Sequence, residues 1–284
     1  MKIRSIALLT LLCFAPAVSA ATGEVDGWLT SVDAAVDAAA DGDRKILVDL
    51  YADWCGWCKV LEEKVFTTPE FRTFTQDMVL LRVDVEDGGE GSELQARFGA
   101  NSLPTTLILD SQLAKIGEVS GYAPTPRFLA AVRGQLQEYE AMLEFYERVR
   151  RGDDLALMRR LGEDLHARGD TRRAATLYEA ALDKAATGST TAAWLHYLAA
   201  DAHRLNSDLG RAESRYRTSR QLAKSRADEA LNERLDMLRF HLAHDTGDCP
   251  EAVASLEKFL ESHPRSSLRS QARYTLAALR RGEG

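Results

Sequence analysis

The sequence predicts an α/β sandwich with a mixed sheet, followed by an all-α domain of repeated helix pairs. Three observations point there. Up to about residue 125, apolar β-prone runs alternate with helical periods and close on a hairpin pattern. From Pro126 onward, helix-length apolar patterns replace strand signals. Alanines at 174, 212 and 252 then recur 38 and 40 residues apart, the mark of stacked helical repeats.

The first 20 residues read as a cleaved export signal. Lys2 and Arg4 precede an apolar run over 6–14 that is too short to span a membrane, Pro16 breaks it, and Val18-Ser19-Ala20 offers small residues for cleavage after Ala20. Cys13 lies between bulky Leu12 and Phe14, unlike a lipidation site, and leaves with the signal. The mature chain divides into 21–137 and 138–284. In the first part, Trp28, Val32 and Val36 have the four-residue spacing of an amphipathic helix. A buried strand is expected over 45–51 and a helix over 59–66, with Trp54-Cys55-Gly56-Trp57-Cys58 between them. Thr68 and Pro69 signal another helix start. Residues 78–85 read as a strand and 86–91 as a Gly-rich acidic loop, whose carboxylate spacing does not match a hand-type calcium loop. Thr105–Leu109 and Lys115–Ser120 form a strand pair around Asp110-Ser111.

In the second part, Leu161-Gly162, Leu165, Gly169-Asp170, Ala174, Tyr178 and Ala181 have the spacing of a two-helix hairpin. Ala199-Ala200, Asp208, Ala212 and Tyr216 repeat it, as do Gly247-Asp248, Ala252, Leu256 and Phe259. Residues 267–280 read as a lone capping helix.

Residues 21–137 hold 19 acidic against 10 basic side chains, while 138–284 are balanced at 24 of each. Neither half has the basic excess of a nucleic-acid binder. No segment after the signal is long enough to span a membrane, so a soluble mature chain without stable membrane insertion is expected. Removing the signal leaves Cys55, Cys58 and Cys249, one close pair plus a remote thiol, which argues against disulfide stapling. Cys249 is expected to pack rather than react. His241 and His244 lie near it but define no third ligand, and no metal site is expected.

Strand, Cys-x-x-Cys, then helix is the context in which this motif means redox chemistry rather than zinc. Cys55, at the helix start, faces unpaired N–H groups and the positive end of the helix dipole, which favour the attacking thiolate. Cys58, one turn deeper, would resolve the mixed disulfide. Asp49, inside the apolar strand, would take the proton of Cys58, and Glu62 shares a helical face with that cysteine. Trp54 and Trp57 are expected to form an apolar rim.

The stretch Val48-Asp49-Leu50-Tyr51-Ala52-Asp53-Trp54-Cys55-Gly56-Trp57-Cys58-Lys59 resembles the thioredoxin-like family, nearest to the C-terminal thioredoxin-like domains of periplasmic disulfide reductases, including the later Phe66-Thr67-Thr68-Pro69-Glu70. The likeness implies a thioredoxin-like fold, a cis proline at Pro104 whose neighbour Leu103 pairs with substrate backbone, and a carboxylate pair, Asp49 and Glu62, controlling Cys58. The second part resembles tetratricopeptide repeats. That likeness would line a ligand-facing groove with Arg159, Glu163 and His166, then Trp194, Tyr197, Asp201 and Arg204, then Met237, His241 and His244. The expected function is a periplasmic thiol:disulfide oxidoreductase, a reductase or isomerase needing no bound cofactor. It would exchange disulfides with thiol- or disulfide-bearing proteins and be reset by an external redox partner, with a protein or peptide ligand on the repeats. The alternative makes the repeats a protein-binding or assembly module and the redox domain an accessory.

Overall fold

The computed structural model describes residues 24–25, 27–224 and 228–281; the expected export signal lies outside the described residues. Strand β3 (Ile46–Tyr51) is apolar at nearly every position because both of its faces are covered. It sits inside a mixed six-stranded sheet with β1 (Glu24–Val25), β2 (Trp28–Leu29), β4 (Val79–Asp84), β5 (Thr105–Leu109) and β6 (Lys115–Ser120), in the order β1-β2-β4-β3-β5-β6. β3 runs parallel to β4 and antiparallel to β5. The β5–β6 hairpin turns at Asp110, whose Oδ1 accepts the N–H groups of Gln112 and Ala114, each at 2.9 Å.

Alternation along the strands builds two layers. Ile46, Val48 and Leu50, with Leu81 and Leu107, pack against α1 (Val32–Ala40) and α4 (Glu90–Phe98). Leu47 and Ile108 face the other layer, made of α2 (Gly56–Leu61), α3 (Pro69–Phe74) and α5 (Thr125–Arg151).

Three expectations are corrected. Trp28 is not on the first helix: Gly27, at φ +83°, turns the chain into β2, and Trp28 packs against Phe66 and Phe71 with ring centroids 4.9 and 6.1 Å away. The cysteine helix starts at Gly56 rather than 59 and runs from Leu61 into a π-helical turn over Glu62–Phe66. The acidic loop is shorter than 86–91, because Asp87 accepts the N–H groups of Gly89 and Gly91 and starts α4 at Glu90.

The helical region is three antiparallel pairs and a last helix: α6 (Leu155–Ala167) with α7 (Thr171–Leu182), α8 (Thr190–Leu205) with α9 (Leu209–Ala223), α10 (Glu229–Asp245) with α11 (Cys249–Ser262), then α12 (Arg269–Arg281). Each helix from α6 to α11 starts on a side-chain cap, from Asp154, Asp170, Ser189, Asp208, Asp228 and Asp248 in turn. Before the second helix of each pair the chain passes through the left-handed region, at Gly169, Ser207 and Gly247. Successive apolar clusters share helices, α8 joining the first and second and α10 the second and third, as nearest-neighbour stacking requires.

α5 runs unbroken through residue 137. Its first half, with Phe128 and Val132, packs in the sheet core, and its end, with Tyr146 and Val149, packs in the first helical core. A buried polar joint locks the two parts: Tyr139 Oη donates to Asp110 Oδ2 at 3.2 Å, and Arg173 reaches Tyr139, Asp110 and Asp170. The backbone N–H of Lys115 also donates to Arg168 O at 2.9 Å.

Gly162 lets α6 approach α7. A Cβ there would stand 2.4 Å from Cε1 of the fully buried Tyr178. Overpacking of that kind costs about 1–3 kcal/mol, more than the roughly 1 kcal/mol that Ala gains over Gly in a helix. Gly162→Ala should therefore lower the thermal midpoint, and an unchanged or higher midpoint would mean that the ring moves aside freely.

Candidate active site

β3 ends at Tyr51 and the chain turns so that Cys55 becomes the N-cap of α2. Its Sγ accepts the N–H of Cys58 at 3.1 Å, meeting one of the donors that a helix leaves unpaired at its start. Cys55 and Cys58 form a disulfide, and both are buried, at 4% and 1% exposure. Trp54 and Trp57 are 67% and 62% exposed, so both stand on the rim and neither packs in the core. Trp57 stacks on Tyr122 with ring centroids 5.7 Å apart. The Leu103–Pro104 peptide is cis, and Pro104 O accepts the N–H of Gly121 at 2.8 Å, which ties the Tyr122 loop to the proline loop. Tyr122 was not anticipated; its only signal is the turn Gly121-Tyr122-Ala123-Pro124 after β6.

Asp49 is fully buried in β3 on the same face as Leu47, whose cluster contains Leu61 of α2, and this puts its carboxyl under the cysteine helix. It pairs in register with Arg82 of β4 on one side and Thr106 of β5 on the other. Among the described residues neither Asp49 oxygen has a hydrogen-bond partner; Arg82 Nε lies 3.4 Å from Oδ2, close enough for an ion pair but not aligned for a bond. Burial pushes Asp49 up to about 7; Arg82 pulls it down and Glu62 adds to the rise. Glu62 holds Arg82 with two contacts, at 2.7 and 2.8 Å, and Arg82 lies 4.3 Å from the Tyr51 ring centroid. The hydrogen bond from Arg82 holds Glu62 below the usual carboxylate range. The predicted carboxylate pair is therefore a triad. Arg82 was missed because a charged residue in an alternating strand reads as solvent-facing.

The groove residues separate. Tyr197, Arg204, His241 and His244 line one cavity of about 430 Å³ among α8, α10 and α12. Burial lowers the pKa of His241, and Arg204 is tied to Asp201 and Asp245. Trp194 is not in that cavity. Its Nε1–H donates to Asp228 Oδ2 at 2.8 Å, and the Arg159 guanidinium lies 5.3 Å from its ring, so it braces α6, α8 and the start of α10. Cys249 is exposed rather than packed, because it is the first residue of α11 while Ala252 and Leu256 face the core. Among the described residues no cluster of three or more His, Cys, Asp or Glu side chains could hold a metal, and no helix is long and apolar enough to cross a membrane.

Residues 27–111 match the model of a family described as thioredoxin-like. The N-terminal part of the chain is a thioredoxin-like domain carrying a Cys-x-x-Cys disulfide. Thiol:disulfide interchange protein DsbD of Ralstonia nicotianae is 36% identical over 115 residues, 40% of this chain and 19% of that protein. DsbD of Pseudomonas fluorescens is 38% identical over 98 residues, 34% of this chain and 17% of that protein. The chain thus spans less than a fifth of the length of these curated relatives. Among solved structures, the oxidised C-terminal domain of Neisseria meningitidis DsbD is 21% identical, with a TM-score of 0.34 over 38% of this chain and 98% of that one.

The raised pKa of Asp49 makes stability depend on pH. The unfolded chain ionises this group near 3.8, whereas the fold holds its proton to about 7. Its contribution is complete below about pH 4 and is lost as pH rises through 7. Asp49→Asn should therefore be more stable than wild type at pH 8, by up to about 4 kcal/mol, with the difference closing by pH 4. Urea unfolding of the disulfide form at both pH values checks this, and a constant difference would mean that Asp49 is not the group responsible.

Proposed function

We propose that this protein is an exported, periplasmic thiol:disulfide oxidoreductase, working as a reductase or isomerase on proteins that carry disulfides. The observation that carries the reading is a disulfide at a helix N-terminus above a buried carboxyl whose pKa lies near neutrality. In the reduced state Cys55 is the thiolate, stabilised by the Cys58 N–H and the dipole of α2. It attacks one sulfur of a substrate disulfide and the other sulfur leaves as a thiolate. Cys58 then gives its proton to Asp49, attacks Cys55 Sγ and expels the second substrate thiolate, forming the Cys55–Cys58 bond. A base with a pKa of about 7 suits this step, since it is partly ionised yet basic enough to accept the proton. Arg82, held by Glu62, keeps Asp49 from rising further. Leu103 and Pro104 would meet an extended substrate chain beside the rim of Trp54, Trp57 and Tyr122. The residue pattern over 1–20 supports export, and an external redox partner would reset the pair.

The helix pairs read as tetratricopeptide-type repeats that capture partners. The cavity with Tyr197, Arg204, His241 and His244 favours a second reading, in which the repeats are the principal binding module and the redox domain is accessory.

Thiol trapping separates the two. In Cys58→Ser the nucleophile remains and nothing resolves its adduct, so stable mixed disulfides should accumulate on Cys55 on non-reducing gels after free thiols are blocked. Cys55→Ser should trap few. Equal trapping by both variants, or none by either, would favour the binding-module reading.

A further inference from the structure

Thr106 is a second buried polar side chain beneath the cysteine helix, with no part in the exchange described above. Asp49 pairs in register with Arg82 of β4 and with Thr106 of β5, and alternation puts all three on the face of Leu47 and Ile108. A polar row thus crosses the three central strands under α2. Thr106 is fully buried, and its hydroxyl has no hydrogen-bond partner among the described residues. The neighbouring Thr105 differs, because its hydroxyl donates to Ser102 O at 2.7 Å. Packing does not explain the Thr106 hydroxyl: a methyl group in its place would fill the same space without the cost of burying an oxygen. Directly opposed residues of an antiparallel pair have Cβ atoms about 4.5–5.5 Å apart. Side-chain rotation alone can therefore bring the hydroxyl within hydrogen-bond reach of the Asp49 carboxyl. The titratable and charged groups facing that carboxyl are Arg82 from β4, Glu62 from the turn after α2, Tyr51 from β3 and Cys58 from α2. β5 brings Thr106, which is neutral at every pH of interest.

We propose that Thr106 is a positioning residue for the exchange reaction: its hydroxyl turns to Asp49 and donates to the ionised carboxylate that receives the Cys58 proton. The role rests on the redox reading above and deepens its proton-transfer step. A hydroxyl donating to a carboxylate makes a charge-assisted bond, stronger than the bond it accepts from the protonated acid. It therefore favours the ionised form and lowers the pKa of the carboxyl. No proton leaves Thr106. One proton passes from Cys58 Sγ to Asp49, the Cys58 thiolate attacks Cys55 Sγ, and the substrate sulfur leaves with the electron pair of its bond. The hydroxyl then rotates to accept from the new acid. Its effect is to keep more of the base ready near neutral pH.

Two variants of the full chain test this. Thr106→Val keeps the β-branched shape and removes the hydroxyl, whereas Thr106→Ser keeps the hydroxyl and removes the methyl. In the disulfide form, the Asp49 carboxyl carbon should titrate about one pH unit higher in Thr106→Val than in wild type, and close to wild type in Thr106→Ser. In the reduced form, reaction with bis(2-hydroxyethyl) disulfide is quenched with acid, and the mixed disulfide on Cys55 is followed by mass. That adduct should last about fivefold longer in Thr106→Val near pH 6.5, with the difference closing above about pH 9, where Asp49 is ionised in both. An Asp49 midpoint unchanged in Thr106→Val, or a slowing of equal size at every pH, would overturn the proposal while leaving the redox reading in place. So would a Thr106→Ser that titrates like Thr106→Val, since the methyl would then carry the effect. A reduced wild-type chain that forms no adduct at any pH would overturn both.

Discussion

Asp49 is a carboxyl buried in the strand that delivers the cysteines, with no hydrogen-bond partner among the described residues. An ionised carboxylate in that position is costly unless a cation compensates it. Among the described residues the ion-pairing cation beside it is Arg82, one strand away at 3.4 Å, and Arg82 is itself held by Glu62 at the end of the cysteine helix. The three residues come from β3, β4 and the turn after α2, so the charge balance under the disulfide depends on the register of the sheet. The compromise is a proton held to about pH 7. A stronger ion pair would make the carboxylate too weak a base for a thiol, and no cation at all would keep it protonated throughout the neutral range.

The helical region is fastened to this domain by buried polar contacts rather than by a flexible linker. Asp110 turns the β5–β6 hairpin with one oxygen and accepts Tyr139 and Arg173 with the other, so a single side chain joins hairpin, α5 and α7. The same device recurs along the stack. Glu179 meets His203 and Arg215 across α7, α8 and α9, and Asp236 meets Arg220 and His263. Each bridging carboxylate has at least one cationic partner at the joint between neighbouring pairs, which sets how one pair sits on the next.

Much of this was legible before the structure, where local chemistry decides the outcome. The β5 and β6 bounds follow from β-prone runs on either side of Asp110-Ser111, and the helix starts after Asp170, Asp208 and Asp248 follow from a capping side chain placed after a left-handed residue. The strand–Cys-x-x-Cys–helix context located Cys55, Cys58 and Asp49 for the same reason. What was not legible depends on partners distant in sequence. Trp28 has helical spacing to Val32 yet belongs to a hairpin set by Gly27. Arg82 looks like a surface residue until β4 is laid beside β3, and Trp194 looks like a groove residue until Asp228 is found to hold its indole.

The central claim is that burial keeps Asp49 protonated up to neutrality while the disulfide is closed. Carboxyl carbon shifts of aspartate-labelled protein, followed across pH and assigned by comparison with Asp49→Asn, measure it directly. The account predicts one aspartate with a midpoint near 7. A midpoint near the ordinary 3.8 would contradict it, because Asp49 would then be ionised throughout the neutral range and too weak a base to take the Cys58 proton.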